Sequence, residues 1–84
     1  MITGDIYDNI KCESFKDPET NRIRVRPLSG QGLPTDMVIE CSKKSREEYA
    51  PGTVFKTEYV KVCSKPDGRQ YLRAKDQRIT KINI

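Results

Sequence analysis

Apolar and polar positions along this chain alternate in short runs of strand period, cut by turn residues. The clearest run is Arg22-Ile23-Arg24-Val25-Arg26, where apolar and charged residues alternate strictly, so one face is buried and the other wet. Pro27 lacks a ladder donor and ends this strand or sets it at a sheet edge. Residues 9–15 predict an earlier strand, closed by a polar turn around Asp17-Pro18. After the Gly- and Pro-containing loop at residues 29–36, residues 37–41 predict a mostly buried third strand.

The second half continues the pattern. Ser45 and Glu48 have the spacing of a capping box, and Pro51-Gly52 stops the chain soon after, so one or two helical turns are predicted over residues 45–50. Residues 53–63 form the longest strand candidate, and its pattern changes phase: Phe55, Thr57 and Tyr59 share one face, Val60 and Val62 the other. A β-bulge or a sharp bend near Tyr59 would reconcile the two halves. Pro66-Asp67-Gly68 is the strongest turn signal, predicting a hairpin into a strand over residues 69–75, and a last strand is predicted over residues 78–83.

Five or six short strands with short connections hide one apolar face best by curling up. The predicted fold is all-β, a small, partly closed antiparallel barrel with one short helix. A helix between the third and fourth strands resembles the arrangement of OB-folds. A short helical turn within a five-strand barrel also resembles SH3-like barrels. Both resemblances are of order and length.

The 84 residues make one domain, 1–84, with a thin core. Charged residues are 33% of the chain against 35% hydrophobic, so the core must rest on clustered Ile, Val, Leu and a few rings. No run is long and apolar enough to predict a membrane helix, and neither a signal peptide nor a lipidation motif is visible; a cytoplasmic protein is expected. Three cysteines, Cys12, Cys41 and Cys63, stand at wide spacings with no histidine in the chain, which argues against a zinc site and for reduced, buried thiols.

Catalytic chemistry finds no foothold. The usual general base, histidine, is absent, as are nucleophile-elbow, phosphate-loop and zinc-protease motifs. Carboxylate pairs such as Glu47-Glu48 read as solvated surface, and Cys41, although near Lys43 and Lys44, lacks a base partner. No catalytic residue, metal or cofactor is assigned, and a non-enzymatic binding module is expected.

Charge is more informative. Residues 1–42 hold 5 basic and 7 acidic side chains; residues 43–84 hold 11 and 5, so the excess lies in the second half. Arg22, Arg24 and Arg26 form one basic face, Lys43, Lys44 and Arg46 a second cluster, and a third runs through the last strands. The candidate nucleic-acid-binding residues are Lys61, Arg69, Tyr71, Arg73, Lys75 and Arg78, because cations track phosphates and a ring stacks on bases. The expected partner is single-stranded nucleic acid or an acidic protein, and the alternative function is a protein-interaction module that docks on a larger assembly.

Overall fold

The computed structural model describes residues 1–82. Its elements are β1 (Ile6–Lys16), β2 (Ile23–Pro27), β3 (Ile39–Glu40), a short helix α1 (Lys43–Glu47), β4 (Val54–Ser64), β5 (Gln70–Ala74), a 3₁₀ turn (Lys75–Gln77) and β6 (Thr80–Lys81). The strands join in the order β2-β1-β4-β5-β3, and β6 continues beside β4 on the edge that β5 leaves. β2 and β3 come side by side without a ladder between them, so the sheet is nearly closed into a barrel. One pairing departs from the antiparallel expectation: β3 runs parallel to β5, with Ile39 beside Leu72 and Glu40 beside Arg73. A parallel neighbour needs a long crossover, and the segment through α1 and β4 provides it. The helix lies between β3 and β4, as in the OB-like of the two arrangements.

The alternation in the sequence chooses what faces inward. Ile10 and Cys12 of β1, Val25 of β2, Ile39 of β3, Phe55, Val60 and Val62 of β4, and Leu72 and Ala74 of β5 fill the barrel. Leu33, from the loop before β3, and Ile79, from the segment before β6, are buried with them in the same core. The phase change in β4 is a bend, with no inserted residue. Ile10 pairs with Thr57 and Asp8 with Tyr59 in one continuous register, so no bulge shifts β4 against β1. Both strands instead turn two consecutive residues outward together, Asp8-Asn9 and Glu58-Tyr59, and Asn9 takes φ 52° to do so. The Thr57 hydroxyl, buried at the bend, donates to the Tyr59 carbonyl at 3.2 Å.

Several predicted boundaries move. β1 starts three residues earlier than expected, because its Ile6–Asp8 end is paired to β4 and Tyr7 packs against the core. β3 shrinks to two residues. The helix is shifted toward the amino terminus: Ser42, not Ser45, is its N-cap, accepting from the Ser45 amide at 3.4 Å, and Glu48 closes the helix. The last strand is reduced to Thr80–Lys81 after a turn in which Asp76 and Gln77 take φ 52° and 55°; Asn83 lies outside the described residues. The Pro66-Asp67-Gly68 hairpin forms as predicted. The Gly68 amide donates to the Lys65 carbonyl at 2.9 Å, and Gly68 has φ 89°.

The open β2–β3 seam is bridged by one side chain. Arg46, on α1, donates from Nε to the Ile23 carbonyl at 3.0 Å and from Nη1 to the Cys41 carbonyl at 2.6 Å. Replacing Arg46 with Met should destabilise the fold by about 2 kcal/mol, the scale of hydrogen bonds from a charged donor. Arg46→Lys should recover only part of that, since an ammonium lacks the planar fork. Urea unfolding of the three proteins checks this. Gly68→Val should cost about 1 kcal/mol or more, because a β-branched residue is disfavoured at positive φ; an unchanged melting temperature would refute the assigned turn.

Candidate functional site

The six candidate residues are not one patch. Strand β5 points Leu72 and Ala74 into the core, which turns Tyr71 and Arg73 outward. Arg69 precedes β5 in the turn, where its Nε holds the Asp67 carboxylate at 2.8 Å. Lys61 lies on β4 directly opposite Arg73, and both are exposed. Lys75 and Arg78 follow β5 and belong to a second cleft on another part of the barrel wall. Lys75 is ion-paired there with Glu58 at 2.9 Å.

Tyr71 and Arg69 line a cleft of about 390 Å³ that opens over the β2–β3 seam. Its walls come from Arg24 of β2 and Arg22 just before it, the segment leading into β3 (Asp36, Met37, Val38), the end of β3 (Glu40) and the β4–β5 turn (Lys65, Arg69). Arg46 forms part of the wall while its guanidinium is engaged by the seam carbonyls. Tyr71 is half-buried, with Lys65 Nζ 5.8 Å from its ring centroid and Cys63 beside it in register. Partial desolvation, then the Cys63 thiol and the Glu40 carboxylate, push the Tyr71 hydroxyl up from its ordinary value of 10.0, so it is a neutral donor at pH 7.

The arginine face of β2 reads differently in three dimensions. Arg24 pairs with Asp17 at 2.9 Å, and Arg26 pairs with Glu13 at 3.1 Å while stacking over Phe15 at 4.5 Å. These two cations are matched by β1 and its turn. The hydrogen bond from the Glu19 amide, and after it Arg24, holds the Asp17 carboxyl below its ordinary value. Arg22, Lys61, Lys65, Arg73 and Arg78 have no ion-pair partner among the described residues. The sequence could not separate most matched from unmatched cations, because Glu13, Asp17 and Glu58 meet theirs only through the pairing of strands; Asp67, two residues from Arg69, is the local exception. It also missed the cleft contribution of Lys65, although its place beside the hairpin signal was visible.

No group of three or more cysteine, aspartate or glutamate side chains able to hold a metal occurs among the described residues. Cys12 and Cys41 are buried in the barrel, and Cys63 is half-buried on the outer face. Burial, and next the neighbouring Cys41, push the Cys12 thiol from 9.0 up to about 12; burial also raises Cys41, against the opposing pull of Arg46. The chain matches no protein-family model, no curated protein and no solved structure.

Thiol labelling of the native protein should therefore modify Cys63 first and Cys12 last. The raised Cys12 value also has a sign for stability. The folded state keeps a proton that the unfolded state releases, so this contribution is complete below pH 9.0 and is lost as pH rises toward about 12. Unfolding free energy should fall across that window more steeply in the wild type than in Cys12→Ala. Parallel slopes would contradict the burial of this thiol.

Proposed function

We propose that the chain is a non-enzymatic binding module for single-stranded nucleic acid, using the outer face of β5 and the adjoining cleft. The placement of Tyr71 carries this reading. Its ring is turned outward beside Arg73 on the same strand face, with Lys65 nearby and Lys61 across the ladder. A base stacked on that ring would leave its phosphates within reach of unmatched cations. Lys61 and Arg73 also face each other as like charges, an arrangement that costs stability unless an anion joins them. Lys75 and Arg78 drop to the margin of this interface, because they lie in the other cleft.

Binding of this kind is electrostatic, weakly sequence-specific and steep in salt. Titration of a labelled single-stranded oligonucleotide at two salt concentrations tests it. Tyr71→Ala should weaken binding by about 1–3 kcal/mol, the range for one base–aromatic stack. Lys61→Ala with Arg73→Ala should flatten the logarithmic salt slope by about 1.4, at roughly 0.7 per phosphate released. Affinity no tighter than about 1 mM at low salt, or affinity untouched by these substitutions, would remove the nucleic-acid reading.

A protein-interaction reading draws on a separate observation. β2 and β3 flank a seam with no ladder across it, and the cleft above adds Met37 and Val38 to the carboxylates of Asp17, Asp36 and Glu40. An extended peptide could add to either strand edge there. Failure of oligonucleotide binding would leave this reading in front.

A further inference from the structure

The second cleft, about 370 Å³, lies where β5 parts from β4 and the chain crosses through the 3₁₀ turn to β6. Its floor is a row across three adjacent strands: Lys11 of β1 is directly opposite Lys56 of β4, which is directly opposite Thr80 of β6. Lys11 and Lys56 are on the outer face, since Ile10, Cys12, Phe55 and Thr57 on either side point inward, and exposed Thr80 shares that face by its register with Lys56. Two lysines directly opposite on one sheet face have Cβ atoms roughly 5 Å apart, a destabilising arrangement when both are charged. Neither has an ion-pair partner among the described residues. Arg78 adds a third unmatched cation to the lining.

The carboxylates of the cleft do not cancel these charges. Glu58 is engaged by Lys75, which leaves Asp76 against Lys11, Lys56 and Arg78. The floor is also held in place. The Gln31 carboxamide accepts from the Lys11 amide at 2.7 Å and donates to the Lys11 carbonyl at 2.7 Å, acting as a strand partner for that one residue. Lys56 is laddered on both sides, by β1 and β6. Of the four non-glycine residues with positive φ, Asn9 and Asp76 line this cleft and Gln77 adjoins it. Strained backbone of this kind is retained where the surroundings over-determine it, and it clusters at sites of function.

The geometry points to a phosphate-binding site at this cleft. A phosphate dianion seated between Lys11 and Lys56 would convert their repulsion into two charge-assisted contacts, with the Thr80 hydroxyl as a neutral donor and Arg78 closing from the rim. A free phosphate and the terminal group of a nucleotide present the same chemistry to the protein. The site is independent of Tyr71 and Arg73, which lie elsewhere on the barrel wall, so it stands or falls apart from the oligonucleotide reading.

The test is amide NMR of the full chain titrated with sodium phosphate against sodium chloride at matched ionic strength. Phosphate should give saturable shifts concentrated at Lys11, Lys56 and Thr80, and at ten times the dissociation constant it should raise the melting temperature by about 5 °C or more. Lys11→Gln with Lys56→Gln should abolish both effects. These are exposed positions, so a dispersed spectrum will show that the variant folds; Arg78→Gln, which leaves the floor intact, should weaken binding severalfold. A second arm compares phosphate with adenosine 5′-monophosphate and adenosine. Tighter binding of the monophosphate, with none for adenosine, assigns the nucleotide source, and equal binding of the monophosphate and phosphate assigns the free anion. Shifts that match those in chloride, or that persist in the double variant, overturn the site.

Discussion

The barrel depends on a side chain doing what a ladder does elsewhere. Every neighbouring pair of strands is hydrogen-bonded except β2 and β3, and there Arg46 reaches one carbonyl on each side of the gap, Ile23 and Cys41. The gap has local causes. Pro27 cuts β2 short, and β3 is two residues long because the loop before it is rich in glycine and proline. A guanidinium suits the gap: it carries donors in a fixed plane and stays charged at every relevant pH. The five-residue α1 makes sense in this light. Too short to be stable alone, it is capped by Ser42 and presents Arg46 to the seam.

The same seam places the first cleft. Where two strands lie adjacent but unladdered, their outward side chains and the nearest turns define a concavity. Here it brings Arg22 and Arg24 opposite the β4–β5 turn. The bend shared by β1 and β4 places the second cleft. Because both strands turn two residues outward at one point, β5 cannot follow β4 past Val60, and the chain must detour before β6 rejoins at Lys56. Asp76 and Gln77 absorb that detour in left-handed backbone. Each cleft is thus the geometric consequence of a break in barrel regularity.

How much of this the sequence disclosed depended on the range of the interaction. The alternation of β2, the turn at residues 66–68 and the small all-β barrel rest on local rules, and the structure bears them out. The phase change near Tyr59 was visible too, but its form was not: a bend without inserted residues needs β1 to bend with it, which pattern within β4 cannot reveal. The helix frame shifted because Ser42 and Ser45 both suit an N-cap, and Arg46 reaches the seam from the earlier frame. The parallel β3–β5 pairing follows from closure of the whole barrel and has no local signal.

Charge shows the same division most sharply. In the sequence, Arg24, Arg26, Arg46, Lys61, Arg73 and Lys56 all read as surface cations, with nothing to separate their roles. In the structure, Arg24 and Arg26 are matched by Asp17 and Glu13, and Arg46 is consumed by the seam. Lys61 and Arg73, and likewise Lys11 and Lys56, are set directly against each other. An exposed ion pair contributes little, so matched surface cations need no further explanation than modest stabilisation and solubility. Two like charges set opposite one another by a ladder are different, because the register fixes their Cβ atoms side by side and the side chains relieve the repulsion only by splaying apart into solvent. The unmatched pairs, and not the total positive charge, are therefore where an anionic ligand would gain most from this surface.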